Sequence, residues 1–526
     1  MSLLRRRPVA RRSMRLLRRA DDRLQFASIG RTTLAKVFPD HWSFMLGEIA
    51  LYSFIILVIT GIYLTIFFEP SSSLRIYHGS YLPDRGKPVS SAFASTVALS
   101  WDVRGGLLIR QAHHWAAHIF IAAIILHLCR IYFTGMFRKP RELNWTIGLT
   151  LLVLAIFNAF AGYSLPDDLL SGIGLHIFYS IALSIPVVGG WLAMFAFGGD
   201  FPGHEIIQRL YALHILVVPA IIAILIAAHL GILIRQKHSH FGGPGRSDAN
   251  VVGSRMWPSY AVRSLALFAA VAAATFLAGG FAQINPIWVW GDFDSSTVTS
   301  PSVADWYIAW IEGALRLFPP VQVWIFGYLI PDQFWAGVAL PALTFAVLYA
   351  WPFIDRRITG DRGTHHVTGR PRESPIRVAI GVAALCFFAV LLVAAAEELI
   401  VEWTGAPIGT VRAILRVFAL ALPPVAAAVA YWLASVLRAS AKQDLLSLER
   451  PDLVRRRRAP SAADARPEAA VPTDGARARS GLVDGEPAAG EPESSTALPV
   501  HPTRSLSEDP TWLHHRVREE KREPSE

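Results

Sequence analysis

The chain has 526 residues, 53% of them hydrophobic, and a mean hydropathy of +0.38, which places it among polytopic membrane proteins rather than soluble domains. Its formal net charge is +10, but the arginines lie in tails and loops, where topology and anionic lipid explain them, so we expect no nucleic-acid partner. Its two cysteines, Cys129 and Cys386, both stand in apolar stretches and exclude a disulfide framework and a cysteine metal cluster.

Windows of about 20 apolar residues predict an all-α protein with about eight transmembrane helices. In chain order the predicted spans are residues 44–68, 107–135, 146–165, 209–234, 261–281, 334–353, 376–396 and 412–437. The first four form a bundle domain within residues 41–240, and the last four belong to a second membrane domain, 241–437. Residues 1–40 are a basic arm, and the Ala-, Pro-, Glu-, Gly- and Ser-rich residues 438–526 are predicted to be a disordered tail.

Charge asymmetry predicts the orientation of these spans. The basic arm and the loops rich in arginine and lysine fall on one side, and most of the acidic loop residues fall on the other. By the positive-inside rule both termini are then cytoplasmic.

Paired histidines mark the second and fourth spans. His113 and His127 are 14 residues apart, and His214 and His229 are 15 apart. At about 100° and 1.5 Å per residue, each pair returns to within about 40° to 60° of one helix face after a rise of about 21 to 22 Å. Two such helices can meet in pairs at two depths, the geometry of two stacked bis-histidine b-type haems. A single membrane histidine is more often a packing residue, but four at nearly equal gaps favour ligands.

Two arginines and two further histidines belong to the second span. Arg110 and Arg130 stand three residues outside the paired histidines, where each guanidinium could bind a haem propionate. His114 and His118 have no histidine partner 14 or 15 residues further on, so we interpret both as polar packing residues.

Four glycines repeat the histidine spacing in the first and third spans. Gly47 and Gly61 are 14 apart, as are Gly148 and Gly162. Glycine lets another surface approach the backbone closely, so these positions could face the edges of two haems. Ordinary small-residue helix packing is the alternative for any one of them.

Two stretches between spans carry further signals. Residues 171–202 are apolar but interrupted by proline and glycine, which favours short helices at the membrane interface. The long outer loop from residue 283 to 332 contains Ala304-Asp305-Trp306-Tyr307. This segment is either part of an aromatic belt with a solvated charge or a pocket where a quinol stacks and transfers a proton.

The chain resembles the cytochrome b subunit of the cytochrome bc1 type, most closely its actinobacterial menaquinol:cytochrome c reductase form, over about residues 40–437. The resemblance is carried by HWSFMLGEIALYSF, RQAHHWAAHIF, RKPRELNWTIG, FAGYSLPDDLLSG, SIPVVG, HFGGPGR followed by NVVG, INPIW, and DWY with EGALRLFPP. It implies a multi-pass protein of the bacterial plasma membrane.

The resemblance also assigns roles. It makes His113 and His214 the ligands of an outer, low-potential haem b, and His127 and His229 those of an inner, high-potential one. The Pro-Glu-Trp-Tyr motif of the family's quinol-oxidising pocket corresponds to the segment from Ala304 to Tyr307. The catalytic residues it implies are Asp305, Tyr307 and Tyr163, and the segment with Gly162, Pro166 and Gly174 walls the same pocket.

Several family positions differ in this chain. Asp305 is one methylene shorter than the usual glutamate, and Ala304 lacks the rigidity of proline. At the inner quinone site, the usual histidine and acidic residue correspond to Ile234 and Ser264. Met45 replaces the cysteine that attaches an extra haem in the b6f branch, so no covalent haem is expected. By location alone, the candidate inner-site residues are Lys237, His238, His240 and Asp248, and a plain basic cytoplasmic loop is the favoured alternative for each of them.

The reaction that the resemblance implies is oxidation of a quinol at an outer site. The actinobacterial form that the chain resembles implies that this quinol is menaquinol. One electron leaves to an iron–sulfur partner and the other passes through the two b haems to a quinone at the inner site, which builds a proton gradient. The implied partners are a Rieske iron–sulfur subunit and a cytochrome c subunit, in a dimer of complexes that could include a terminal oxidase. The alternatives are a dihaem membrane anchor of another oxidoreductase, a paralogue that has lost efficient quinol oxidation, and a secondary transporter.

Overall fold

The computed structural model describes residues 34–203, 205–297 and 304–449. Most of the predicted basic arm, and the predicted tail beyond residue 449, lie outside the described residues. The helices are, in chain order, α1 (Leu46–Thr65), α2 (Ser91–Trp101), α3 (Gly106–Thr134), α4 (Glu142–Tyr163), α5 (Leu169–Leu183), α6 (Gly189–Phe197), α7 (Ile206–Gln236), α8 (Ala261–Phe281), α9 (Trp306–Leu317), α10 (Asp332–Thr359), α11 (Pro375–Ala395), α12 (Glu397–Thr404) and α13 (Ile408–Glu449).

Eight helices of the described chain are long and apolar enough to cross a membrane, namely α1, α3, α4, α7, α8, α10, α11 and α13. Each coincides with one predicted span, so the all-α, eight-span prediction is confirmed. Their outward faces carry large exposed apolar side chains, such as Ile59, Ile62 and Leu420. Apolar surfaces of this kind are compatible with the hydrocarbon core of a lipid bilayer.

Strands are few and short. They form four two-stranded pairs: β1 (Val37–Phe38) with β5 (Ser254–Arg255), β2 (Leu74–Ile76) with β3 (Pro88–Ser90), β4 (His240–Phe241) with β8 (Val367–Thr368), and β6 (Val323–Ile325) with β7 (Tyr328–Ile330). All are antiparallel except the β4–β8 pair. These pairs hold together the loops between helices, and they do not form a larger sheet.

The first four spans form the predicted bundle. α1 packs along α3, α4 packs along α7, and α8 lies against α1 and α3. The shared core contains small and large apolar residues in alternation, including Ala50, Phe120, Ile121, Ala155 and Ile222. This packing turns the histidine-bearing faces of α3 and α7 toward the same interior.

A second core joins the later helices. α9 packs on α11, and α11 packs along α13. Their contact buries Ala314, Leu317, Leu391, Ala394 and Leu415. The segment that follows Asp305 is therefore anchored on this second group of helices while its start faces the bundle.

Helix α7 contains a π-helical turn at Leu213–Val217, where the amide of Val218 bonds to the carbonyl of Leu213. Pro219 explains the turn, because it has no N–H to donate to the carbonyl four residues earlier and its ring crowds that carbonyl. A π turn accommodates one extra residue. The 15-residue gap between His214 and His229 is therefore equivalent, in rotation, to about 14 residues of α-helix.

Two predicted boundaries can be compared with the structure. Residues 171–202 form the two short helices α5 and α6, as expected from their prolines and glycines. Helix α13 continues to Glu449, beyond the boundary predicted at residue 437. Alanine, leucine, lysine and glutamine in this extension all favour helix, although the extension is more polar than the membrane span before it.

Candidate functional site

His113 of α3 and His214 of α7 face one another. Their ring centroids are 6.1 Å apart and the ring planes differ by 73°. Since an imidazole nitrogen binds a metal such as zinc at about 2.0 to 2.1 Å, this separation leaves room for one metal ion between the rings. The first of the two predicted pairs is therefore assembled.

Hydrogen bonds orient both of these rings. The Thr60 hydroxyl donates to the carbonyl of Ile56 at 2.7 Å, so its oxygen accepts from Nδ1 of His113 at 2.9 Å. Nδ1 of His214 donates to the carbonyl of Asn158 at 2.8 Å. A proton held on Nδ1 leaves the Nε2 lone pair free, and such a second partner is what metal-binding histidines usually have.

The second pair, His127 and His229, lies at the other level of the bundle. Glycines of α1 and α4 lie against them: a Cβ on Gly47 would be 3.4 Å from Cε1 of His127, and one on Gly148 would be 3.7 Å from Cε1 of His229.

The other two glycines match the first pair. A Cβ on Gly61 would be 3.3 Å from Cε1 of His113, and a Cβ on Gly162 would overlap the ring of His214. Each of the four predicted glycines thus lies against one of the four predicted histidines. The glycines keep both levels open for a large planar group.

Arg110 and Arg130 are buried cations with free donors. Nε and Nη2 of each have no hydrogen-bond partner among the described residues. Arg110 lies 5.8 Å from the ring centroid of Trp288, and Arg130 lies 4.0 Å from that of Phe44. Buried guanidinium N–H groups without partners fit an anionic ligand, and the carboxylates of a haem would satisfy them.

One cavity of about 440 Å³ joins this level to the predicted quinol pocket. Its wall includes His113, His214 and Arg110, together with Tyr163, Tyr307, His114, Pro166 and Asp168. The volume and the mainly apolar wall are typical of small-molecule sites. The His113–His214 pair, the donors of Arg110 and the glycines at this level fit a bis-histidine haem.

Asp305 lies behind this wall, at the position before the first residue of α9. Its Oδ2 accepts hydrogen bonds from Tyr307 Oη at 2.8 Å and from His114 Nε2 at 3.0 Å, and its side chain is 7% exposed. Burial would raise the pKa of Asp305, but the hydrogen bond and charge of His114, with His118 and Tyr307, hold it below its usual value. The pKa of Tyr307 is raised, chiefly by burial and then by Asp305, so Tyr307 is a hydrogen-bond donor.

His114 and His118 do more than pack, contrary to the sequence interpretation. Their rings stack with centroids 4.9 Å apart, and both face Asp305, His118 at 3.9 Å. Histidines four residues apart on one helix share a face, which is the signal that was available. The partner carboxylate, however, comes from a segment 191 residues away from His114.

This cluster could in principle hold a metal ion, since ligand atoms of His114, His118 and Asp305 lie within 4.8 Å of one another. Its hydrogen bonds argue otherwise. Trp306 donates Nε1–H to Nδ1 of His118 at 2.9 Å. The proton of neutral His118 then sits on Nε2, the atom a metal would need. The cluster is a set of donors around one carboxylate.

Asp168 is a second buried carboxyl on the cavity and was not among the predicted site residues. It is 3% exposed and begins α5 in a capping box with Ser171. Burial raises the pKa of Asp168 to about 6, against the opposing hydrogen bond of Ser171 and the charge of Arg110.

Among the other predicted wall residues, Gly174 lies against Tyr163, since a Cβ on Gly174 would be 3.3 Å from Cε1 of that ring.

Three of the four candidate inner-site residues are engaged in hydrogen bonds with loop backbone. Asp248 accepts the backbone amides of His366 and Val367, His240 bonds to Ser247 and Val252, and Lys237 donates to the carbonyl of Ala249.

His238 differs from those three. Its Nδ1 is buried and has no partner among the described residues, and Lys36, Arg141 and Arg130 lie nearby. Burial and these cations lower the pKa of His238 to about 4, so the ring is neutral at physiological pH.

A cluster that the sequence reasoning missed lies between the starts of α1 and α8. Glu48 accepts hydrogen bonds from the hydroxyls of Tyr52 at 3.2 Å, of Ser264 at 2.6 Å and of Tyr260. The neighbouring Gly47 is the glycine that lies against His127. A carboxyl is thus present beside Ser264, at the site where the family pattern has an acidic residue in α8, but it comes from α1.

Together the fold and the site define a helical membrane protein whose four-helix bundle brings buried histidines together in an arrangement that fits haem b. A family model described as "Cytochrome b(N-terminal)/b6/petB" matches residues 118–292. The chain is 51% identical to the cytochrome bc1 complex cytochrome b subunit of Mycobacterium leprae, over 73% of this chain and 70% of that protein.

It is also 49% identical to the subunit so named in Mycobacterium tuberculosis, over 78% of this chain and 75% of that one, and 46% identical to that of Streptomyces coelicolor, over 72% and 70%. A chain of a "Hyperthermophilic respiratory Complex III" shares the fold, with a TM-score of 0.57 and 20% identity, over 78% of this chain and 98% of that chain. The chain belongs to the cytochrome b subunits of bc1-type respiratory complexes, which are haem-binding integral membrane proteins.

Proposed function

We propose that this subunit oxidises a quinol within a quinol:cytochrome c reductase. The proposed quinol is menaquinol, because the chain resembles the actinobacterial branch of the family. The observation that carries the proposal is the shared cavity, whose wall contains His114, Tyr163 and Tyr307 together with the His113–His214 pair. A quinol bound there would be next to the haem that His113 and His214 would hold, which would receive one of its two electrons. Proximity of this kind is what makes electron and proton transfer efficient.

The residues around the cavity can bind the quinol and take its proton. Tyr307 and His114 offer hydrogen bonds at the wall, and Asp305 behind them is ionised because its pKa is lowered. Ionised Asp305 fixes the orientation of both side chains, and its negative charge would stabilise the imidazolium that forms when His114 takes a proton from the quinol. Asp168, with a pKa of about 6, is matched to carry a proton onward near neutral pH.

The residues that would hold two haem b groups are the His113–His214 and His127–His229 pairs, with Arg110 and Arg130 for their propionates. When bound, the haems would supply one-electron carriers between the two faces of the membrane. The protein contributes ligation, oriented imidazoles, glycine surfaces and insulation by apolar helices.

On the opposite face, we place quinone reduction near Glu48 and its three hydroxyl partners. With the termini cytoplasmic, protons would be taken up there and released from the His113–His214 side. Oxidation and reduction on opposite faces would thereby contribute to a transmembrane proton gradient.

The remaining chemistry requires other subunits. The two cysteines, Cys129 and Cys386, stand in separate membrane-spanning helices and do not form the ligand motif of an iron–sulfur cluster, and the sequence has no Cys-x-x-Cys-His for a c-type haem. We therefore propose a Rieske iron–sulfur subunit and a cytochrome c subunit as partners, in a dimer of complexes in the bacterial plasma membrane.

Replacing Asp305 tests the quinol site. We expect Asp305→Asn to slow quinol oxidation by about tenfold or more, since general acid–base groups contribute about 10²- to 10⁴-fold, while both haem spectra stay intact. The measurement is quinol-dependent cytochrome c reduction by the purified complex, normalised to haem b. Asp294→Asn, an exposed carboxyl of the same loop, is the control and should leave turnover unchanged. Normal turnover in Asp305→Asn would reject the site.

Replacing His113 tests the haem assignment. His113→Leu should lose one of two b-haem signals in a reduced-minus-oxidised spectrum, because leucine cannot ligate iron. His118→Leu, five residues along the same helix, should keep both. Two bis-histidine signals in His113→Leu would show that another residue is the ligand.

A further inference from the structure

The Asp305 side chain does not cap the helix that it precedes, which is unusual for an aspartate at this position. The residue before the first helical residue normally caps the helix with its side chain, and aspartate is among the best at doing so. In α9 the Asp305 side chain makes no capping bond, while its carbonyl accepts the amides of Ile308 and Ala309. Its carboxylate instead bonds to His114 and Tyr307. Something must hold the backbone so that the carboxylate points away from its own helix.

Glu312, on the same helix, provides that hold. Its Oε2 accepts the backbone amide of Ala304 at 3.1 Å, and its Oε1 accepts from Arg316 Nη2 at 2.7 Å. The Glu312 side chain is 11% exposed. The contact fixes the peptide immediately before Asp305 against α9.

Arg316 is in turn fixed by the second group of helices. It lies 3.5 Å from Glu397 and 3.3 Å from Glu398, at the start of α12, and the Glu397 side chain is 1% exposed. Burial would lower the pKa of Arg316, but Glu312, Glu398 and Glu397 raise it, so it stays charged. Arg412 of α13 also pairs with Glu397, at 2.5 Å. The hold on Ala304 is thus tied to a partly buried ion-pair network.

We propose that Glu312 is a positioning residue for quinol oxidation: by binding the Ala304 amide, it directs the Asp305 carboxylate to His114 and Tyr307. This inference rests on the proposed function of the Asp305 site. Both oxygens of Glu312 are engaged, one by a backbone amide and one by a guanidinium, so Glu312 anchors the segment rather than accepting the quinol proton. The amide exists because residue 304 is alanine, since a proline there would have no N–H to bind.

The first test compares two substitutions at Glu312 in the assembled complex. Glu312→Ala removes the acceptor, and we expect kcat per haem b to fall about tenfold with the KM for quinol changed less than about twofold, since small misplacements of catalytic groups are costly. Glu312→Gln keeps an oxygen for the Ala304 amide and should retain at least about half of the wild-type kcat. Equal losses in both variants would overturn the proposal, as would wild-type kcat in Glu312→Ala.

Glu398→Gln is the matched control. It removes another carboxylate partner of Arg316 but does not touch Ala304, so it should leave kcat within about twofold of wild type. A loss in Glu398→Gln as large as that in Glu312→Ala would show that the ion-pair network, not the amide contact, matters.

The second test uses proline to remove the amide. In an Ala304→Pro background, Glu312→Ala should cost less than about twofold, because the contact it breaks is already gone. A full tenfold loss in that background would contradict the proposal. The Gln and Ala variants decide the question even where the proline variants do not assemble. A wild-type complex that does not oxidise quinol would refute the proposed function itself, which is a different outcome from active Glu312→Ala.

Discussion

Two buried carboxyl groups near the same cavity have pKa values shifted in opposite directions. Asp305 is surrounded by donors and has a lowered pKa, whereas Asp168 is shifted upward to about 6, mainly by burial. Pairs of acids separated in this way commonly divide the work of binding and proton transfer. At neutral pH Asp305 is a fixed negative charge, and Asp168 can exchange a proton.

The exchange at Asp168 predicts a pH dependence. Below about pH 6 this carboxyl is mostly protonated and cannot accept a proton, so quinol oxidation should slow as the pH falls through 6. Asp168→Asn should lower the rate and remove that limb of the pH profile, while asparagine still caps α5. The measurement is initial rate per haem b from pH 5 to about 8.

Ser171→Ala provides the control for Asp168→Asn. The Ser171 hydrogen bond lowers the pKa of Asp168, so its loss should move the limb to higher pH without abolishing it. A limb that persists unchanged in Asp168→Asn would mean that another group controls the rate.

Residues whose role lies in their own spacing could be predicted, and those whose role lies in a distant contact could not. His113, His127, His214 and His229 share a period that a helix converts into shared faces. The role of His114 depends on its contact with Asp305, which is 191 residues away. The sequence around His114 gives no sign of that contact. Asp168 likewise reads as an ordinary helix cap until the cavity beside it is known.

Helix α7 shows how an element adapts to the site. Its π turn contains His214 and follows from Pro219, and it brings a 15-residue gap into the register of the 14-residue gap in α3. The spacing of the histidines could be read from the sequence, but the local widening could not. Helix ends are also hard to predict, as α13 shows, because the end of an apolar stretch is not the end of helix propensity.

The close approach of α4 to α7 predicts the effect of a single methyl group. In Gly162→Ala the new Cβ would overlap the His214 ring, whose Nδ1 is held by Asn158, so the ring cannot turn away without breaking that bond. We expect the variant to lose about half of its haem b per protein, from the His113–His214 level.

Gly231→Ala is the matched control for Gly162→Ala. Gly231 lies in α7, and no atom outside its own helix neighbourhood lies within 4 Å of the position of an added Cβ. It should keep two haems per chain and gain slightly in helix propensity. Full haem content in Gly162→Ala would mean that α4 and α7 can separate to make room.

At the scale of the whole molecule, two polar clusters lie at the two levels of one apolar bundle. One surrounds Asp305 on the His113–His214 side, and the other surrounds Glu48 on the His127–His229 side. Both are assembled from helices distant in sequence, since Glu48 meets Tyr260 and Ser264 212 and 216 residues away. Sequence positions alone favoured the nearby loop residues instead, most of which are engaged in holding the loops.

If the two clusters serve opposite half-reactions, a change at Glu48 should affect one and spare the other. In Glu48→Gln, the first quinol oxidised at the outer cavity should reduce haem b at the wild-type rate, because the Asp305 site is intact. Continuous turnover should fall by about tenfold, since the quinone on the other face loses its proton-exchanging carboxyl. Stopped-flow haem reduction and steady-state cytochrome c reduction measure the two, and Asp361→Asn, a partly exposed carboxylate paired with Arg138, is the control. Slowing of the first reduction would show that Glu48 supports the structure of the whole bundle. Unchanged turnover would show that quinone is reduced elsewhere, and His238, whose Nδ1 has no partner among the described residues, would be the next residue to replace.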